Sequence, residues 1–195
     1  MGEQVKNLSN NESTETKKGF RTVDLAYMGL FVALMAVCSW INIPTTVPFT
    51  LQTFAIFAAV AILGLLRGTI AVIAYILLGL VGAPVFAGFS GGPSALFGTT
   101  GGYIIGFIFT AVITGGIIKV FGKKVWVMVI AMVLGLIACY AFGTAWFMFV
   151  YARDVEAIGL VTALGWCVFP FIIPDCIKIV MAIVLEKSVG RYIHL

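Results

Sequence analysis

Charge is what this chain of 195 residues has least of. Twelve basic and eight acidic side chains make up 10% of it, against about 25% in a soluble domain. Its one histidine, His194, stands beside the C-terminus, and its four cysteines, Cys38, Cys139, Cys167 and Cys176, form no C-x-x-C pair. These shortages exclude a zinc site of the usual spacing, and the cysteines read as small apolar residues. A phosphate-cradling P-loop is missing too. In the nearest stretch, "GIIKVFGKK" at 116–124, five residues separate the glycines and Lys124 stands where Ser or Thr belongs. ATP hydrolysis by this chain is therefore excluded. The opening "MGEQVKNLSNNESTETKKGF" has no apolar h-region and reads as a mobile cytoplasmic tail over residues 1–20.

What is abundant is apolar surface. The chain is 62% hydrophobic, with mean hydropathy +1.13, more than a water-soluble globule of this size could bury. Runs of about 20 apolar residues predict spans at 23–41, 50–66, 69–87, 101–120, 125–149 and 172–191. Nine of the twelve basic residues fall at alternate connections: Lys17, Lys18 and Arg21; Arg67; Lys119, Lys123 and Lys124; Lys187 and Arg191. The opposite connections hold one, Arg153. Positive charge stays on the cytoplasmic side. The expectation is an all-α bundle of six transmembrane helices over 21–195, a single membrane domain with both termini cytoplasmic.

The two longer outer connections, "NIPTTVP" (42–48) and "GFSGGPSALFGTTGG" (88–102), carry no charge. Irregular backbone beside a bilayer must be covered by protein or line a cavity. The longer loop, with Phe89, Phe97 and Tyr103 around it, reads as a cap over an outward pocket or as a re-entrant turn that seals the bundle. Into the last span the sequence puts an acid and a base, Asp175 and Lys178. Starting that helix near Ile173 places Pro174 in the first turn, where proline is tolerated, and Asp175 beside the positive end of the helix dipole. Residues 154–167 then form a separate short helix. At i, i+3 the two charges share one face. They form either a self-neutralising ion pair or a polar patch that grips a small, partly hydrophobic solute. An intramembrane enzyme would need a nucleophile and base or a metal site. Asp175 is expected to be the one intramembrane carboxylate, so that class is disfavoured.

Three stretches carry a resemblance: "PTTVPFTLQTFAIF" (44–57), "YILLGLVGAPVFAGFSGGPSALFGTTGGYIIG" (75–106) and "PDCIK" (174–178). From about residue 25 onward the chain resembles BioY, the biotin-binding S-component of energy-coupling factor transporters. Where that family is expected to read "GPTGGY" this chain has "GTTGGY", with Thr99 replacing the proline. The resemblance implies a high-affinity biotin-binding membrane subunit in a prokaryotic plasma membrane. It implies a transmembrane coupling protein and two ATPases as partners, no cofactor besides biotin as transported ligand, and no nucleic acid. By position it implies ligand contacts at Asp175, accepting from ureido N–H, and at Lys178, donating to a ligand oxygen. Gln52 in "TLQT" and Ser90, Gly91 and Gly92 in "SGG" are candidates for wall and lid, with helix entry and turn formation as their plain roles. Tyr103 is a candidate to stack on the ligand or to anchor at the interface, an ambiguity Trp146 and Trp166 share. Ala26, Gly29 and Ala33 form a small-residue stripe on the first span, for docking on the coupling protein or for packing inside the bundle. The alternatives are an S-component-like binder of another small solute, or a structural or channel protein. A channel would show polar lining on several helices.

Overall fold

A computed structural model describes residues 21–193; the tail expected over 1–20 and His194 lie outside them. The described chain opens with α1 (Thr22–Trp40), whose start is fixed by Asp24 accepting a hydrogen bond from the Arg21 backbone N–H at 3.0 Å. A small antiparallel hairpin follows, β1 (Asn42–Ile43) against β2 (Phe49–Thr50). It is an addition to the all-α expectation. Next comes α2 (Gln52–Leu80), a run of 29 residues broken at Gly64.

That break folds α2 back on itself. Gly64 has φ 81 and ψ 177, a conformation natural only to glycine. A Cβ at Gly68 would lie 2.7 Å from the Val60 Cα. Gln52 and Tyr75, which a straight helix would hold about 34 Å apart, meet in a 2.7 Å hydrogen bond. The arms 52–63 and 65–80 are therefore antiparallel. The two predicted spans exist, but they turn at Gly64 and the second ends seven residues early. Hydropathy alone carries the second span through "VGAPVFA", yet Gly82 (φ +109) and Pro84 stop the helix there. Val85 and Phe86 remain buried because the chain tucks beneath itself.

The rest follows the predicted order. A strap over 81–100 contains the short α3 (Pro93–Phe97); then come α4 (Gly101–Phe121), α5 (Val125–Asp154), α6 (Leu160–Cys167) and α7 (Ile172–Val189). Among the described residues five helical runs are long and apolar enough to cross a membrane; with α2 counted as two arms, they make six membrane helices. α5 extends five residues beyond its predicted end, and the separate short helix expected over 154–167 is α6, which starts only at Leu160 because α5 runs on to Asp154. The first arm of α2 is the axis of the bundle. Its side chains from Ala55 to Leu63 are all buried, as a helix apolar on every side requires, and α1, α4 and α7 pack against α2. α4 and α5 are joined by hydrogen bonds from the Thr110 hydroxyl to the Gly135 carbonyl (3.1 Å) and from the Thr114 hydroxyl to the Ala131 carbonyl (3.2 Å), a common glue between membrane helices.

The basic turns share one end. Asp24 at the start of α1 pairs with Arg67 near the α2 turn at 3.2 Å, and Glu186 near the end of α7 pairs with Lys123 of the α4–α5 turn at 3.5 Å. Leu65 packs on Gly115 of α4, so both ion pairs lie at the same end, where the described chain starts and finishes. These pairs correct one expectation. Asp175 is not the one carboxylate inside a span: Asp24 and Glu186 are buried as well, each tied to a cation of a neighbouring turn.

Because Gly68 meets backbone rather than a movable side chain, Gly68→Ala is expected to push the arms of α2 apart. The loss is about 1–3 kcal/mol, read as a lower melting temperature in detergent. Gly116→Ala, whose Cβ meets nothing within 4 Å, is the matched control without that loss.

Candidate ligand-binding site

A 3-10 turn over Phe169–Phe171 leads into α7, so Pro174 and Asp175 fall in its first turn as proline tolerance and the helix dipole require. Asp175 and Lys178 are 2% and 3% exposed, and Lys178 Nζ lies 2.7 Å from Asp175 Oδ1. The same oxygen accepts from the Thr53 hydroxyl at 3.2 Å, and Oδ2 accepts from the Tyr140 hydroxyl. A carboxylate has about four lone-pair sites, so three internal donors leave room for one more. The Lys178 ammonium also sits 4.4 Å from the centre of the Phe49 ring, a cation–π contact.

This pair lies in the wall of a cavity of about 290 Å³, at the end opposite the basic turns. Both uncharged loops reach it, through Val47 and Pro48 from the first and Ala87, Ser90 and Ser94 from the strap. Of the residues singled out in the sequence, Asp175, Lys178, Gln52, Ser90, Gly91 and Tyr103 line this one cavity. Gly92 does not. It has φ +87 and gives its N–H to the Gly79 carbonyl at 2.7 Å, ahead of α3, so it is a turn residue. Tyr103 is buried, with its hydroxyl 2.9 Å from that of Thr144, so its ring is wall rather than interface anchor. Trp146 and Trp166 are outside the lining. Trp146 Nε1 pins the strap by donating to the Gly98 carbonyl at 3.0 Å, and Trp166 packs edge-on against Tyr151. Phe89 and Phe97 face outward, and Phe89 stacks on Trp40. Phe86 is the strap aromatic that reaches the cavity.

The model of the BioY family matches residues 10–194. The chain belongs to the BioY family. It is 40% identical over 164 residues to "Biotin transporter BioY" of Thermotoga maritima, covering 84% of this chain and 93% of that one. It is 35% identical to "Probable biotin transporter BioY" of Pyrococcus horikoshii, covering 84% and 94%. The solved "S-component for biotin from an ECF-type ABC transporter" has a similar structure, with TM-score 0.79 at 28% identity over 89% of this chain and 95% of that one.

Two features of this BioY-family site escaped the sequence reading. Tyr140 is a hydroxyl in a long apolar run on α5, and nothing in the run marks it as facing Asp175. Phe49 falls between the predicted connection 42–48 and the predicted span from 50, whereas the β1–β2 hairpin lays its ring under Lys178. Thr53 fell within the "TLQT" stretch, but its bond to Asp175 depends on α2 lying beside α7. The small stripe on α1 faces away from the bundle: Ala26, Gly29 and Ala33 are all exposed, and a Cβ at Gly29 would meet nothing within 4 Å.

Proposed function

We propose that this BioY-family chain is the biotin-binding subunit of an uptake transporter and that biotin occupies the cavity at the uncharged end. It is a multi-pass membrane protein and a transporter component, not an enzyme. One observation carries the reading: the cavity is largely apolar, and its one charged feature is the buried Asp175–Lys178 pair. A mostly apolar pocket with a few placed polar groups suits a small, partly hydrophobic ligand, and its volume is near the lower end of the usual range of roughly 300–1,000 Å³. The ureido ring of biotin offers N–H donors to the free lone pair of Asp175 and oxygen to Lys178. Its sulfur ring and alkyl chain suit Phe86, Ile104 and Phe107, which also line the cavity.

The clustering of basic turns at the other end supports placing that end in the cytoplasm, so the cavity opens outward from a prokaryotic plasma membrane. Uptake requires energy this chain has no P-loop to supply. A coupling membrane protein and two ATPases supply it, with the first docking on Ala26, Gly29 and Ala33 of α1.

Labelling tests the site. Ser94 is an exposed residue that lines the cavity. Cys176 is the exposed native thiol, and the other three are buried. In a Cys176→Ser background, a Ser94→Cys thiol in right-side-out membranes is expected to react more slowly when biotin is present. Undiminished labelling at saturating biotin, or protection by unrelated solutes alone, would contradict biotin occupancy of this cavity.

A further inference from the structure

A chain of hydrogen bonds behind the cavity fixes what Gln52 can present to a ligand. Tyr75 is fully buried and outside the cavity lining. Its hydroxyl donates to the Val85 carbonyl at 2.7 Å. A carbonyl only accepts and a phenol has one proton, so the proton is committed there. Toward Gln52, Tyr75 can then only accept, and it does, from Nε2 at 2.7 Å. Turning the amide over would set Gln52 Oε1 against the Tyr75 oxygen with no proton between them. The Val85 carbonyl also lies 2.6 Å from the Ser39 hydroxyl of α1, which reaches the Ala36 carbonyl at 2.7 Å with the same single proton. With its nitrogen facing Tyr75, Gln52 keeps its oxygen free. Oε1 has no hydrogen-bond partner among the described residues and is not sealed from accessible space. Gln52 is 4% exposed and lines the cavity, so that space is the cavity. Asp175 lines the same cavity, so two acceptors, a carboxylate and an amide oxygen, open on one ligand space.

We infer that Tyr75 is a positioning residue for ligand specificity: by orienting Gln52 it presents an amide oxygen to the cavity that Asp175 also lines, and the two acceptors together select a ligand with paired N–H donors. This deepens the biotin reading and rests on it. It also ties the site to the strap, because the carbonyl that orients Tyr75 belongs to the residue before Phe86.

The test is a double-mutant cycle in detergent-solubilised protein, titrated with biotin and with two analogues, each methylated on one of the two ureido nitrogens. Tyr75→Phe keeps the ring packed edge-on against Phe86, 5.5 Å between centres, and removes only the hydroxyl. Tyr75→Phe and Gln52→Leu are each expected to weaken biotin by about tenfold, the loss of one hydrogen bond. The double variant should be no weaker than either single, because the effects run through one group. Discrimination against one methylated analogue should fall with them. Additive losses, or equal losses for biotin and both analogues, overturn the inference, as does wild-type affinity in Tyr75→Phe. If Tyr75→Phe does not fold, Gln52→Leu decides alone: it must weaken biotin while sparing one methylated analogue, and a uniform effect overturns the inference. Failure of the wild type to bind biotin sinks the underlying reading instead, and is seen before any variant is made.

Discussion

Asp175→Asn is expected to weaken biotin binding by about tenfold to a hundredfold. The amide is nearly isosteric and keeps an oxygen for Thr53 or Tyr140, so the helix start survives. What goes is the charge. Hydrogen bonds to a charged group are worth roughly 1.5–3 kcal/mol, which gives that range of affinity. Lys178→Ala should lose more than affinity. It leaves the buried Asp175 carboxylate with two hydroxyls and no cation, and breaking a buried pair costs about 3–5 kcal/mol. Both single variants leave one buried charge without its counter-ion and are expected to melt below the wild type. Lys178→Ala should melt lower, because the amide of Asp175→Asn keeps an oxygen that accepts from the Lys178 ammonium. Calorimetric titration with biotin, preceded by a melting curve for each variant, separates the two effects. A Lys178→Ala protein that melts and binds like wild type would contradict the role given to the pair.

Gly29→Trp and Ala33→Trp should separate binding from transport. Both positions face away from the bundle, and close approach of another helix needs small residues there. Bulk at these positions leaves the cavity untouched, since α1 contributes no residue to its lining. Biotin affinity is expected to stay within about twofold of wild type. ATP-driven uptake, measured in cells that also express the proposed coupling protein and ATPases, is expected to be abolished. Loss of biotin binding itself would show that the stripe supports the bundle rather than a partner.

Much of this was legible in the residues because the bilayer imposes simple rules. Span length, the alternation of basic connections and the pairing of Pro174 with Asp175 each follow from one constraint acting along the chain. The start of α7, and with it a separate helix before, follow from proline tolerance together with the place of Asp175 at the positive end of the helix dipole. Hydropathy failed where the apolar run outlasts the helix: "VGAPVFA" is as greasy as a span, and only Gly82 and Pro84 divide helix from strap. It also hid Asp24 and Glu186, which sit close enough to span ends to pass for flanking residues. Their burial depends on Arg67 and Lys123 arriving from other turns. The site divides in the same way. Asp175 and Lys178 announce themselves as charges in an apolar run. Tyr140, Phe49 and Tyr75 are ordinary membrane residues until α5, the β-hairpin and the second arm of α2 bring them together. The Gln52 amide has a defined orientation only because Tyr75, 23 residues later, has already given its proton to Val85.

The most direct measurement is titration of biotin into the Asp175→Leu/Lys178→Met double variant beside the wild type. Replacing a buried pair by apolar residues of similar size is often neutral for stability, so this variant is expected to fold and to melt near the wild type. If the pair forms the biotin site, the wild type saturates with biotin and the folded double variant binds more weakly than either single variant. Near-wild-type affinity in the folded double variant would reduce Asp175 and Lys178 to a structural ion pair and contradict the assignment of the site.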